Sequence, residues 1–466
     1  MSATNNPTPG EARAPGPSVA DTLRRDSREV PAPLLEQHYA FLGDEDLPVE
    51  RYISREFFQR EIERLWPNAW QWACREEHLP ETGDSYVYDI GPYSVLIARM
   101  DDGGVKAFLN VCTHRGTRLI DAQGCAYTPS ITCPFHGWSW NLDGSVRNIP
   151  GQWDFPHTVG DSHNLAAVRC EVWGGFIFIN LNPEAAPLAD YLGVMPAHFA
   201  QFPLERRRIR AHVQKTLPAN WKIAQEAFME AYHNFETHDS PHGANAQYDV
   251  FSKYVSRFIH NIGNYSTEAL ADYPGDKWRN PPLTEHEILQ ILSVFGLRHE
   301  EVPKGETARA VAAADLRERL GEQWGLDLSG VSDSLMLDSI EYHLFPNMFF
   351  FPGINIPMAY RFRPNGDDVD SCIFDLMILE PLGDAQQHPE PPEPVRVGID
   401  ESYTVVEDLA WLGAVYDEDT GNLQMQQQGF KTSRKAGLTL GNYQEARIRR
   451  VHMTLDEFMS GADTRN

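Results

Sequence analysis

Four residues in the first third of the chain carry side chains suited to a metal cluster. Cys112 and His114 stand in Cys-Thr-His-Arg-Gly, and Cys133 and His136 in Cys-Pro-Phe-His-Gly-Trp. Each pair sits at a turn, and 18 residues separate His114 from Cys133. Two such loops offer two thiolates on one side and two imidazoles on the other, which suits a [2Fe–2S] cluster whose irons are ligated differently. Neutral imidazoles raise the potential above that of an all-thiolate cluster. The competing occupant is a structural Cys₂His₂ zinc ion. Against it, Cys-x-His is tighter than the usual zinc-finger spacing, and the flanking sequence reads as strands and glycine turns. Cys74, Cys125, Cys170 and Cys372 have no partner motif and are expected to be structural.

A second group lies a hundred residues on, in the stretch Asn220 to His238. It follows the turn signal Leu217-Pro-Ala-Asn220, and Trp221, Ile223, Ala224, Ala227, Phe228 and Ala231 give it the character of a buried helix. Glu230, His233 and His238 are set into that apolar background. A buried carboxylate or imidazole is costly unless it is hydrogen-bonded or metal-bound. The two histidines are five residues apart, about 140° around a regular helix. Both can ligate one ion only if the helix is distorted or ends between them.

Together these motifs resemble those of Rieske non-haem iron oxygenase α subunits. Cys-x-His-Arg-Gly followed by Cys-Pro-x-His-Gly-Trp resembles the Rieske signature, and Asn-Trp-Lys…Glu-Ala-Tyr-His-x₄-His resembles the family's mononuclear iron motif. The resemblance runs from about residue 50 to 430 and keeps the family's order. It implies a [2Fe–2S] cluster on Cys112, His114, Cys133 and His136, and a mononuclear Fe(II) on His233, His238 and one carboxylate. The carboxylate implied is Asp419, nine residues before Gln428-Gly429, with Asp417 and Asp408 as competitors. Glu230 matches a position that is not a ligand. There the resemblance implies a bridge from the iron-site histidine to a cluster histidine of a neighbouring subunit, His136 in preference to His114. This chain departs from the pattern twice: Glu stands where Asp is usual, and the spacing from Asn-Trp-Lys to His is one residue shorter.

The activity so implied is that of a terminal oxygenase using O₂ and electrons from NAD(P)H, passed on by a reductase, with or without a ferredoxin. The assembly implied is a head-to-tail homotrimer, or an α₃β₃ particle with a small β subunit. The apolar stretches around Phe228, Met229, Phe235, Leu344 to Phe351, and Met358 point to a hydrophobic aromatic or polycyclic substrate. Mono- or cis-dihydroxylation is expected, with O- or N-demethylation as the alternative. A pure electron-transfer Rieske protein would need only residues 67–185.

These groups need elements to hold them. Over 466 residues the length allows two or three domains. Residues 1–48 read as a flexible arm and 49–66 as a helical lead-in packing on the catalytic domain. Residues 67–185, rich in alternating strands and Gly turns, read as a small all-β Rieske domain. Residues 186–466 read as an α+β catalytic domain, with helices packed on an antiparallel sheet in a helix-grip, START-like fold. Within it Tyr248 to Ile262 alternates like one strand, Pro281 to Leu326 reads as a helical excursion, and a helix from about Ser402 is expected to end at Gly429.

The formal charge of −26 excludes nucleic acid or an anionic membrane as the main partner. The short basic run Arg206 to Arg210 reads as a solvated face. No apolar run is long enough to span a membrane, and no apolar signal segment opens the chain. Six cysteines in so long a chain do not make a disulfide framework, so a reducing, cytoplasmic setting is expected.

Overall fold

The computed structural model describes residues 8–14, 17–121, 124–238, 246–263, 283–383 and 390–461. The alternating segments of the first half form a seven-stranded antiparallel sheet. Its order is Gln71–Arg75, Phe176–Asn180, Ala167–Trp173, Val105–Leu109, Tyr93–Arg99, Asp84–Ile90 and Gly124–Tyr127. A three-stranded sheet, Ile131–Thr132, Ser139–Trp140 and Val146–Asn148, stands beside it. Between them lies a separate small core in which Leu96, Phe108, Trp138 and Trp140 pack around Cys112 and Cys133.

The second half is built on an eight-stranded sheet. Its order is Ala246–Val250, Val255–His260, Ser339–Leu344, Met348–Phe350, Met358–Asn365, Asp368–Pro381, Arg207–Leu217 and Val395–Val397. All neighbours pair antiparallel except the last, which runs parallel to Val213–Lys215. Side chains alternate across a strand, and on Met358–Asn365 this separates two jobs. Met358 and Tyr360 face the helical side, while Arg361 and Arg363 face the first domain and donate to the carbonyls of Trp72 and Asp89. The main hydrophobic core runs through both domains.

Several expectations change. The stretch Asn220 to His238 is not one helix: the helix covers Trp221–Glu226, and a single turn, Asn234–Thr237, follows later. The break has a hydrogen-bond cause. Arg447 takes the carbonyl of Met229 at 3.1 Å, the Tyr248 hydroxyl takes the N–H of Ala231 at 3.1 Å, and Glu230 takes the N–H groups of Tyr232 and His233. With those groups bonded elsewhere, the helical ladder has no partners to continue. Tyr248 to Ile262 is a hairpin, Ala246–Val250 with Val255–His260, rather than one strand. The helix expected to end at Gly429 is two helices, Leu412–Gly421 and Leu423–Thr432, with Gly429 inside the second.

The segment expected as a flexible arm is laid along the second domain from residue 17. Val19, Ala20, Leu23 and Leu34 are buried. Ser27 N–H donates to Asp333 at 2.7 Å, Asp26 accepts from Ser334 N–H at 2.7 Å, and Leu47 pairs with Leu438. The following helices, Glu50–Ile53 and Arg55–Arg64, contact the second domain. Glu61 reaches in from Arg55–Arg64 to meet Lys222 at 2.7 Å and the Trp221 indole N–H at 3.2 Å, with both charged side chains fully buried. The helix of the second motif is thus clamped by an ion pair from the lead-in.

Candidate metal centres

The first four residues come together at the tip of the small core, on two loops of the same design. Cys112 N–H donates to Thr117 O at 2.8 Å and Gly116 N–H to Cys112 O at 2.9 Å. Cys133 N–H donates to Trp138 O at 2.8 Å and Gly137 N–H to Cys133 O at 3.1 Å. Gly116 and Gly137 close the loops at φ +78° and +73°, a region open to glycine and strained for other residues. The geometry sorts the side chains by type. Cys112 and Cys133 are 3% and 2% exposed, whereas His136 is exposed and His114 half-buried. The two imidazoles are 4.8 Å apart between centroids, and His114 stacks on Trp138 at 4.8 Å.

Burial raises both thiols. On Cys133 the N–H groups of Phe135 and His136 outweigh it and lower the pKa, while Cys112, faced by the N–H groups of His114 and Arg115, stays raised. His114 Nδ1 is buried without a hydrogen bond. Two inward sulfurs bathed in amide dipoles, two outward imidazoles and an orphaned ring nitrogen suit an asymmetric cluster with its histidine iron toward the surface.

The second centre forms where the broken helix meets Leu412–Gly421. His233 caps the turn Asn234–Thr237 at its start and His238 at its end, where ψ is 142° and the backbone is extended. Placing His238 outside the helix removes the 140° offset. Their Nε2 atoms lie 3.3 and 3.1 Å from one oxygen, Asp419 Oδ1, and the three ligand atoms fall within 4.8 Å of one another. Of the competitors, Asp417 accepts from the Ser402 hydroxyl and Tyr403 N–H, and Asp408 pairs with Arg210 at 2.8 Å. Neither joins the cluster.

Each histidine is held from behind. Glu230 Oε1 is 2.7 Å from His233 Nδ1, and Glu418 Oε2 is 2.6 Å from His238 Nδ1. Burial disfavours imidazolium, yet Asp419 and Glu230 carry the His233 pKa up to about 10, and Asp419 with Glu418 raises that of His238. The same contacts lower Asp419 against its burial. A pocket in which three carboxylates favour positive charge on two imidazoles is prepared for a divalent cation, whose charge would take that place. Asp419 Oδ1 has no hydrogen bond of its own, and the two-histidine, one-carboxylate donor set fits a non-haem iron with open positions.

Sequence reasoning missed Glu418 and Gln427. The Gln427 side chain, 3% exposed, accepts from Asn220 N–H at 3.0 Å and donates to Asp370 at 2.7 Å. It ties the helix after the carboxylate to the start of the histidine helix. The repeated acids of Asp417-Glu418-Asp419 held the signal for Glu418, since the residue before a ligand sits one turn-step away.

The centre opens on a cavity of about 520 Å³. Phe228, Phe351, Met358, Tyr360, Trp411 and Tyr416 line it. From the apolar stretches singled out in the sequence, Phe228, Phe351 and Met358 line it, whereas Met229, Leu344, Phe345 and Met348 to Phe350 are core. The Phe235 side chain lies outside the described residues. One carboxylate in the wall is not at a histidine: Glu341, which takes Arg447 at 2.7 Å and the Tyr360 hydroxyl at 2.6 Å. Its charge is matched inside the wall. A second cavity, about 540 Å³, lies on the other side of His233 and is lined by Glu226, Glu230 and Glu445.

Comparison with known proteins gives a family for each half of the chain. Residues 69–158 match the Rieske [2Fe-2S] domain, and residues 203–461 match the ring hydroxylating alpha subunit catalytic domain. The carnitine monooxygenase oxygenase subunit of Escherichia coli K12 is 30% identical over 189 residues, 40% of this chain and 50% of that protein. The large oxygenase component of the naphthalene 1,2-dioxygenase system of Pseudomonas putida is 30% identical over 218 residues, 44% of this chain and 45% of that protein. The chain thus spans about half the length of the curated relatives it matches. In fold it is similar to the crystal structure of a quaternary ammonium Rieske monooxygenase, with a TM-score of 0.60 and 17% identity, covering 89% of this chain and 95% of the other. Among the described residues, no helix is long and apolar enough to cross a membrane.

Proposed function

Since the chain belongs to the ring-hydroxylating α-subunit family of Rieske oxygenases, we propose that it is the terminal oxygenase of a multicomponent system and oxygenates an apolar substrate held in the 520 Å³ cavity. In this reading Cys112, His114, Cys133 and His136 hold the [2Fe–2S] cluster, and His233, His238 and Asp419 hold the mononuclear iron. The observation that carries it is the convergence of two Nε2 atoms on Asp419 Oδ1 in the wall of an aromatic cavity. Iron bound there supplies the activation of O₂; the cluster supplies electrons one at a time.

The chain's own residues set the conditions. Glu230 and Glu418 fix the tautomers by taking the Nδ1 protons, so that both Nε2 lone pairs face the ion. Phe228, Tyr360 and Tyr416 exclude water beside the iron and orient a flat substrate. The outward histidines of the cluster place its electron exit at the surface, which suits delivery to another subunit. Glu230 is the proposed receiver, reached through the cavity behind His233. A head-to-tail homotrimer or an α₃β₃ particle, served by a reductase drawing on NAD(P)H with or without a ferredoxin, is the assembly that fits this reading.

The matched charge of Glu341 favours a neutral aromatic or polycyclic substrate, because the one wall carboxylate that is not at a histidine is not free to receive an ammonium group. The second reading, oxidation of a methylated amine, is favoured by the aromatic walls, which can hold a cation by its attraction to ring faces, and by the names of the carnitine and glycine betaine relatives. The test is an oxygen-uptake screen of the reduced, iron-loaded protein against polycyclic arenes, steroids and N-methylated amines, with product masses. Oxygen incorporated into a neutral arene or steroid supports the first reading. Formaldehyde released from an N-methyl compound supports the second, and product from neither class sinks both.

A further inference from the structure

The residues of Met358–Asn365 that turn away from the iron look into a different space. There the two domains enclose a cavity of about 550 Å³ that shares no lining residue with the substrate cavity. Its volume lies in the range of small-molecule sites, which often sit between domains. On its floor Arg361 Nε and Arg363 Nε both donate to Asp375 Oδ2, at 2.9 and 2.7 Å. Their Nη1 atoms donate to Trp72 O and Asp89 O, and among the described residues neither Nη2 makes a hydrogen bond. Two guanidiniums on one carboxylate leave an excess positive charge at depth.

His212 enters the same cavity from Arg207–Leu217, the strand beyond the one that carries Asp375. It is 3% exposed, neither ring nitrogen is hydrogen-bonded, and Nε2 stands 3.9 Å from Asp375 Oδ1. Buried donors and acceptors are nearly always satisfied, and leaving one unmade is costly. Here a buried imidazole is left over, and two guanidinium Nη2 groups lie open to the same cavity. Its wall is aromatic: Tyr86 and Tyr88 line it, with the Arg361 guanidinium 5.1 Å from the Tyr88 ring centre.

The acids around it do not cancel the floor. Glu77 is paired with Arg75 at 2.6 Å and Asp89 with Arg118 at 2.8 Å, while Asp84, held by Glu81 N–H at 2.7 Å, keeps its charge away from the Asp375 floor. Glu390 and Glu393 stand exposed at the mouth, beside Arg396. Exposed charges act weakly through water, but an acidic mouth disfavours polyanions such as nucleotides. A single negative charge on a flat ring satisfies both depth and mouth. We propose that this interdomain cavity is a second binding site, for an aromatic monocarboxylate, with the carboxylate on Arg361, Arg363 and His212 and the ring against Tyr86.

Cys125 gives a local readout, because it lines this cavity and is the exposed one of the six cysteines. The experiment follows alkylation of Cys125 by N-ethylmaleimide in the full-length protein, by peptide mass spectrometry, with benzoate as probe and benzyl alcohol as its neutral counterpart. Benzoate at ten times its Kd is expected to slow alkylation about tenfold, and benzyl alcohol to leave it unchanged. Arg363→Gln, checked for folding by the visible absorbance of its cluster, loses the protection. Arg396→Gln, on the exposed edge strand, weakens it and serves if Arg363→Gln does not fold. Benzoate bound only in the substrate cavity would leave the Cys125 rate unchanged and overturn the proposal. So would equal protection by benzyl alcohol, or full protection in both arginine variants.

Discussion

The two metal centres of this chain are built in opposite ways. The cluster site comes from two loops of one design, Cys112 to Thr117 and Cys133 to Trp138, each closed by its own backbone hydrogen bonds and a left-handed glycine. The iron site has no such local frame. His233 and His238 owe their positions to a helix broken by Arg447 and Tyr248, and their third ligand arrives from residue 419 on another helix. A centre made of self-closing loops survives loss of its neighbours, while one made of distant segments depends on every clamp that holds them.

The largest effect expected concerns the ligands themselves. Asp419→Asn should abolish product formation and iron retention at the mononuclear site while leaving the visible spectrum of the cluster unchanged. Cys133→Ser should do the reverse to the metals, losing the cluster's colour while the other centre still binds added Fe(II), as seen by metal analysis. If either change empties both centres, the two are not separable in the way their construction implies.

Next in size is the buried clamp. Lys222→Met leaves Glu61 unpaired in the core, and breaking such a pair costs about 3–5 kcal/mol. Chemical denaturation should register that loss. The helix Trp221–Glu226 is unseated with it, so iron affinity should fall too, while the cluster's spectrum holds at temperatures where the protein is folded. Equal loss of both metals would remove the contrast.

The carboxylates behind the histidines sharpen it further. Glu230→Gln and Glu418→Gln should each weaken iron binding by about 10–100-fold, the usual range for outer partners of metal-bound histidine. If Glu230 also receives electrons from a neighbouring cluster, Glu230→Gln at saturating iron slows cluster oxidation in rapid-mixing traces, and Glu418→Gln does not. Identical traces for the two variants would restrict Glu230 to holding His233.

The smallest effect is on pH. In the iron-free protein the His233 pKa is raised to about 10, above its unfolded value of about 6.5. Its contribution to stability is therefore complete below about pH 6.5 and is lost as pH rises through 10. Thermal melts of the apoprotein should decline over that window, and iron, which needs the deprotonated ring, should flatten the decline. A melt of the apoprotein that is level from pH 6.5 to 10 would contradict the assignment.

The same difference decided what could be read from the residues alone. Cys112, His114, Cys133 and His136 were legible because spacing, turn residues and side-chain type all lie within a few positions. His233 and His238 were legible as a pair, but their helix was drawn too long. The groups that break it, Arg447 and Tyr248, lie far away in sequence, and helix propensity carries no trace of them. Asp419 stood out from Asp417 only by resemblance, since adjacent acids differ in where the backbone aims them. Glu418 was overlooked for the same reason. Residues 17–48 read as an arm because their buried apolar residues, Val19, Ala20, Leu23 and Leu34, are scattered among Pro and charge, and their other anchors are backbone amides meeting Asp333 and Asp249.

The central claim is that His233, His238 and Asp419 hold a third iron that the cluster serves. The most direct measurement is metal and sulfide content of anaerobically reconstituted protein, read together with cluster oxidation on mixing the reduced protein with O₂ and substrate. The wild type should hold about three irons per two sulfides, and its cluster should reoxidise as product forms. Asp419→Asn should hold about two irons, with a cluster that stays reduced on the same timescale. A variant that keeps the third iron, or a wild type that never takes it up, would contradict the account.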